Sequence, residues 1–255
     1  MMEYTPREMM VVAAARKIKN DDIVFCGTGI SILAAVAAKH MHAPESIIFF
    51  ETGAVDSELE ELPLAVSDPR VMHNASGYCT LADTFGFMQN RNTGKNIIGI
   101  IGAAQIDKYG NLNSTCTGDH KRPDVRFPGS GGACDVASFV GRTIIFMKLE
   151  KRKFVEKLDY ITSPGWLSCA DGRRKTGLMA DGPSCVVTDK GIMGFDDISK
   201  KIYLTYFYPG IDPEDIKKNV GFDIDVSRAD EINPPSKAEL DALRKKSDPE
   251  RLILK

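Results

Sequence analysis

Ile23-Val24-Phe25-Cys26-Gly27-Thr28-Gly29 and, further along, Ile47-Ile48-Phe49-Phe50-Glu51-Thr52-Gly53 decide the fold. Each is a short apolar run, partly β-branched and aromatic, that stops at a glycine turn, the pattern of a strand buried on both faces. Between them Ile32 to Lys39 is Ala-rich, as a helix packed closely on a sheet must be, so the stretch predicts a βαβ unit with parallel strands. Glu51 follows the second strand directly. A carboxylate is thereby expected at the mouth of a buried strand, where α/β proteins carry out chemistry.

The same alternation of helix and strand signals extends in both directions. Upstream, Thr5-Pro6-Arg7-Glu8 has capping-box spacing with proline at the first helical position, and Met10, Val11, Ala14 and Ile18 share a face, which predicts a helix from about 6 to 19. Downstream, strands are expected at Asn96 to Gly102, Thr143 to Met147, Cys185 to Thr188 and Ile202 to Phe207. Asp212-Pro213-Glu214-Asp215 opens a helix that stops near Gly221, and Ser236-Lys237-Ala238-Glu239 opens another. The polar stretch from Asp223 to Pro235 is the best break, and it would detach only a C-terminal helix. One domain over residues 1–255 is expected, with a helical extension from about 223.

Composition narrows the class. With 43% hydrophobic residues, 255 residues suffice for a sizeable core, and a net charge of −2 gives no reason to expect nucleic acid or an anionic membrane as partner. The N-terminal residues lack a signal pattern, and no apolar stretch approaches the ~20 residues that span a bilayer, so a soluble, cytoplasmic protein is expected. The six cysteines contain no C-x-x-C pair, which fits reduced thiols, and the four histidines are unclustered apart from His40 and His42, so no metal site is expected.

Each remaining candidate has two readings. Gly27-Thr28-Gly29 lacks the third glycine of a dinucleotide loop, since Ile32 stands there, so it is either a tight strand-to-helix turn or a set of N–H groups facing a ligand. Gly129-Ser130-Gly131-Gly132 is either a flexible loop or a backbone-exposing segment able to hold an oxyanion. Asn111-Leu112-Asn113 reads as a turn, and Asp56 to Glu61 as a solvated acidic loop. Glu51 by position alone is a solvated loop residue or a nucleophile.

The order of four segments adds a resemblance. Ile48-Phe49-Phe50-Glu51-Thr52-Gly53, the stretch from Gly102-Ala103-Ala104-Gln105-Ile106-Asp107 through Lys108-Tyr109-Gly110-Asn111-Leu112-Asn113, Gly129-Ser130-Gly131-Gly132-Ala133 and Thr162-Ser163-Pro164-Gly165-Trp166 resemble the β subunits of family I CoA-transferases, most of all the glutaconate CoA-transferase type. The resemblance covers nearly the whole chain. It implies the NagB/RpiA/CoA-transferase-like α/β fold, an open, mainly parallel sheet with helices on both faces. It implies an α subunit as partner in an α2β2 heterotetramer. No tightly bound cofactor is implied, coenzyme A thioester being a substrate.

By the same resemblance Glu51 matches the catalytic glutamate, which forms a glutamyl-CoA thioester in a ping-pong transfer from an acyl-CoA, glutaconate-like in type, to an acceptor carboxylate. Gly131, Gly132 and Ala133 match the oxyanion and CoA-binding segment, with Gly27 and Thr28 as a second source of amides. Thr52 departs from the serine that commonly follows the glutamate, and Cys134 occupies a variable place. By the resemblance, some relatives have given up transfer for thioester hydrolysis or decarboxylation after losing this glutamate, so retention of Glu51 argues for transfer over the alternative of an acyl-CoA hydrolase or ring-cleaving hydrolase on the same scaffold. A ligand sensor would need a DNA-binding helix-turn-helix, for which the residues before 23 leave no room.

Overall fold

A computed structural model describes residues 3–178 and 181–254. The chain divides into two compact units, one of residues 1–100 with 234–255 and the other of residues 101–233.

The first unit begins with α1 (Pro6–Ala15), whose capping box forms as expected: Thr5 Oγ1 accepts from Glu8 N at 3.2 Å and Glu8 Oε2 accepts from Thr5 N at 2.8 Å. The helix stops earlier than the apolar pattern suggested. Lys17 N and Ile18 N turn to Ala14 O and Ala15 O, three residues back, and this tighter last turn carries Ile18 into the core. Then come β1 (Ile23–Cys26), α2 (Ile30–Met41), β2 (Ile47–Phe49), β3 (Ala54–Val55), β4 (Gly77–Tyr78), α3 (Leu81–Gln89), α4 (Arg91–Gly94) and β5 (Ile97–Gly102), within which the unit ends. The βαβ reading holds. β1 lies between β2 and β5, parallel to both, with Phe25 opposite Phe49 and Gly99. Ala34, Ala35, Ala37 and Ala38 of α2 are fully buried, which small side chains permit.

β2, β3 and β4 continue this sheet as an antiparallel ribbon, which the sequence did not signal because β3 and β4 are two residues each. Glu58, Glu60 and Glu61 beyond it are exposed, as a solvated loop should be, while Asp56 pairs with Lys39 at 2.5 Å.

The second unit contains two small ribbons, β6 (Gln105–Ile106) with β7 (Leu112–Asn113) and β8 (Cys116–Asp119) with β9 (Arg122–Arg126). They are followed by α5 (Ala133–Phe139), β10 (Arg142–Phe146), α6 (Gly172–Lys175), β11 (Pro183–Val187), β12 (Gly191–Phe195), β13 (Ile202–Phe207), α7 (Pro213–Lys218) and β14 (Asp230–Glu231). Strands run in the order β10-β11-β12-β13-β14, parallel at each outer pair and antiparallel at β11–β12 and β12–β13. The expected strands are all present, Ile202–Phe207 with the expected bounds and the others with ends shifted by at most two residues.

One expectation fails here. Asn111-Leu112-Asn113 is not a plain turn: Leu112–Asn113 is strand, and both asparagines are buried. Asn111 Nδ2 donates to Asp107 Oδ2 and Leu167 O, each at 2.8 Å, while its Oδ1 accepts from Gly165 N and Leu167 N. Burial pushes the Asp107 carboxyl up, and the bonds from Asn111 and Tyr109 pull against that.

The chain ends in the first unit with α8 (Lys237–Ala242), capped by Ser236 and Glu239 as predicted and prolonged by a π-helical turn, Leu243–Ser247. Two guanidinium–carboxylate pairs fasten this segment to α1: Arg244 to the fully buried Glu8 at 2.7 and 2.9 Å, and Arg16 to Glu239 at 2.7 and 2.8 Å. Among the described residues no helix is long and apolar enough to cross a membrane.

Candidate active site

In the first unit the candidates assemble at the C-terminal ends of two adjacent parallel strands. Phe25 of β1 lies opposite Phe49 of β2, the last pair of the register, and Gly27 and Glu51 each follow two residues beyond it, at the C-terminal ends of the two strands. Glu51 and Thr52 are the central residues of a turn closed by Gly53 N donating to Phe50 O at 3.0 Å, while Phe50 N donates to Ala54 O at 3.0 Å. The glutamate therefore stands at the tip of the β2–β3 hairpin, half-buried. Thr52 Oγ1 is sealed from solvent with no hydrogen-bond partner among the described residues.

Gly53 holds this turn in place. Its φ is +98°, and a Cβ there would lie 1.8 Å from Cys79 O. Only glycine permits that approach. Cys79 N donates to Gly53 O at 2.9 Å and Cys79 Sγ contacts the same oxygen at 3.4 Å, with Thr84 Oγ1 3.3 Å from the sulfur. Thr80, the next residue, is the capping-box start of α3. The turn that carries the nucleophile candidate is thus braced at Gly53 by Cys79, twenty-six residues further along the chain and next to a helix cap.

Gly27-Thr28-Gly29 runs from β1 into α2, with Gly29 as N-cap at φ 75° and no side chain capping the helix. The amides of Gly27 and Thr28 donate to no acceptor among the described residues, and open space lies beside Gly27 and Gly29. Unused donors and the positive end of a twelve-residue helix thus share a sheet edge with Glu51, an arrangement suited to binding negative charge.

The glycine segment lies in the second unit. Gly129 and Gly131 have φ of 98° and 50°, with open space where a Cβ would be. Gly129 N donates to Ser114 O at 2.8 Å and Ala133 N to Ser130 O at 3.0 Å. Of the three amides singled out from sequence, Ala133's is therefore engaged within its own loop, whereas those of Gly131 and Gly132 donate to nothing among the described residues. Bonded to the helix that follows the loop is a side chain that no sequence motif marks. Arg173, 1% exposed, donates to Ala137 O in α5 and to Gly165 O, both at 2.9 Å. Burial lowers its pKa to about 10, so it stays charged near neutrality. No local pattern marks it, since its partners lie eight and thirty-six residues away.

A cavity of about 490 Å³ in the first unit, lined by Lys39, His40, Asp56, Ser57 and Asn74 among others, includes none of these candidates. Its lysine is engaged by Asp56 and Ser46 O. The strand-end turns, by contrast, hold unused donors and a presented carboxylate.

The sequence pattern of the coenzyme A transferase family matches residues 7–219. The β subunit of glutaconate CoA-transferase from Acidaminococcus fermentans is 44% identical over 249 residues, 96% of this chain and 93% of that protein. The β subunit of 3-oxoadipate CoA-transferase from Pseudomonas knackmussii is 35% identical over 245 residues, 96% and 94% of the two chains. The crystal structure of glutaconate coenzyme A-transferase from Acidaminococcus fermentans matches with a TM-score of 0.95 and 42% identity, over 99% of this chain and 98% of that one.

Proposed function

The chain belongs to the coenzyme A transferase family and acts with an α subunit as a CoA-transferase, and on that premise we propose that Glu51 is its covalent nucleophile. The observation that carries this is the hairpin tip: a half-buried carboxylate at the end of a parallel strand, in a turn that the Gly53–Cys79 backbone contact keeps from shifting. A solvated loop glutamate would need no such brace.

The chemistry follows from the groups. A Glu51 oxygen attacks the carbonyl of the donor thioester, the C–S bond breaks, and CoA thiolate leaves an acyl-glutamyl anhydride. The thiolate attacks the glutamyl carbonyl, releasing the first carboxylate with one oxygen from Glu51 and leaving CoA on the enzyme as a thioester. The acceptor carboxylate attacks that thioester, and the thiolate then takes its acyl group. Each addition places charge on an oxygen, and each N–H aimed at it is worth ~3 kcal/mol. We assign this to Gly131 and Gly132, with Gly27 and Thr28 as the second source. Exclusion of water protects the anhydride from hydrolysis.

In this reading the enzyme is a cytoplasmic α2β2 heterotetramer, coenzyme A enters only as substrate, and the acyl groups are dicarboxylic, as the names of the two relatives suggest. Glu51→Gln keeps volume and removes the attacking oxygen anion. Co-expressed with the α subunit, it should assemble normally and lose transfer by several orders of magnitude. Near-normal transfer by this variant would refute the assignment.

A further inference from the structure

Two of the segments that carry the resemblance, residues 102–113 and 162–166, take no part in the chemistry of Glu51, yet in the second unit both end on one short piece of backbone, Ser114-Thr115. Thr162, 8% exposed, accepts from Ser114 N at 2.9 Å through its hydroxyl, and Thr115 Oγ1 lies 2.7 Å from the same oxygen. Asn113, fully buried, accepts from Thr115 N at 3.0 Å and fixes the other side. The carbonyls of this pinned pair face the glycine segment: Thr115 O accepts from Phe127 N at 2.9 Å and Ser114 O from Gly129 N at 2.8 Å.

The loop itself offers little else to hold it. Nothing packs where side chains of Gly129 or Gly131 would be, and its far end is fixed by Ala133 N and Cys134 N turning back to Ser130. The direction of the free Gly131 and Gly132 amides is therefore set by where Gly129 is held. We propose that Thr162 is a positioning residue for these amides, acting through Ser114-Thr115 on Gly129. The inference rests on the proposed function, in which Glu51 reacts covalently and Gly131 and Gly132 are its oxyanion donors. Displacement of such donors by about 1 Å is enough to lower turnover about a hundredfold.

The test uses the co-expressed enzyme. Thr162→Val preserves shape and removes both hydroxyl bonds, whereas Thr162→Ser retains them. We expect Thr162→Val to lower kcat about 10- to 100-fold with KM for acyl-CoA changed less than about threefold, and Thr162→Ser to stay within about threefold of wild type. Thr188→Val is the control, because its buried hydroxyl donates to Gly191 O at 2.8 Å and accepts from Lys190 N and Gly191 N, bonds that all lie within the β11–β12 turn. It should destabilise comparably and leave kcat within about twofold. Should Thr162→Val not assemble, Thr115→Val removes the single hydroxyl bond and should lower kcat about three- to tenfold.

Wild-type kcat in Thr162→Val, or in Thr115→Val where that variant carries the test, overturns the proposal. So does an equal loss in Thr188→Val. The preparations are also incubated with acyl-CoA and scored for CoA attached to Glu51. Label on wild type with an unaffected Thr162→Val rate removes this inference alone, whereas no label on wild type removes the covalent reading beneath it.

Discussion

Replacing Gly53 with alanine tests how tightly the Glu51 turn is held. The new Cβ would sit 1.8 Å from Cys79 O, against the 3.0 Å below which real Cβ contacts essentially never fall, so the two must separate by at least 1.2 Å. Cys79 is poorly able to retreat, because its own N–H bonds Gly53 O and its neighbours Tyr78 and Thr80 belong to β4 and the α3 cap. The hairpin tip moves instead. A side chain at φ +98° adds about 1–3 kcal/mol of backbone strain, and a nucleophile displaced by about 1 Å loses about a hundredfold in rate. Gly53→Ala, assembled with the α subunit, should therefore lose at least about 100-fold in kcat and melt at lower temperature. Gly77→Ala serves as comparison, since it lies in the same ribbon with nothing near its added carbon. Turnover of Gly53→Ala within about threefold of wild type would refute the reasoning.

Two further outcomes follow from the chemistry and the charges. Since the first product leaves before the acceptor reacts, initial-rate plots at several acceptor concentrations should give parallel lines; intersecting lines would indicate a ternary complex and direct transfer. The α1–α8 pairing should make stability fall in acid. The Arg244 bond holds the Glu8 carboxyl below its ordinary value against its burial, and Glu239, although burial pushes it up, is brought down to about 2 by Arg16 and Ser236. Folded pKa values below the unfolded 4.5 mean that the stabilisation is present above pH 4.5 and lost as pH falls toward about 2. Glu239→Gln, which can still cap α8, should lower the melting temperature at pH 7 and flatten its decline between pH 4.5 and 2; an unchanged slope would contradict this.

What could be read from sequence was local. The apolar runs ending at Gly27 and Gly53, the alanines of α2 and the Thr5 and Ser236 caps each encode an element within a few residues, so the βαβ unit and the place of Glu51 at its edge were legible. The two-residue strands β3 and β4 leave no periodicity, and the antiparallel pairing of β11, β12 and β13 depends on turns that composition does not distinguish from crossovers. The contacts that brace the site are legible least. Gly53 meets Cys79 through backbone atoms twenty-six residues apart, and Thr162 reaches Ser114 across forty-eight, so nothing near either residue announces its partner. Asn111 and Asn113 were read as turn formers because those residue types favour turns; burial turned the same amides into hydrogen-bond hubs.

The most direct test of the central claim is to find where CoA is held. The assembled enzyme is incubated with acyl-CoA without acceptor, treated with borohydride, which reduces a glutamyl thioester to the alcohol, and mapped by peptide mass spectrometry. The mass change is predicted on Glu51, and it should be absent from Glu51→Gln. Modification of Cys26, Cys79 or Cys134 in its place, with Glu51 intact, would contradict the mechanism.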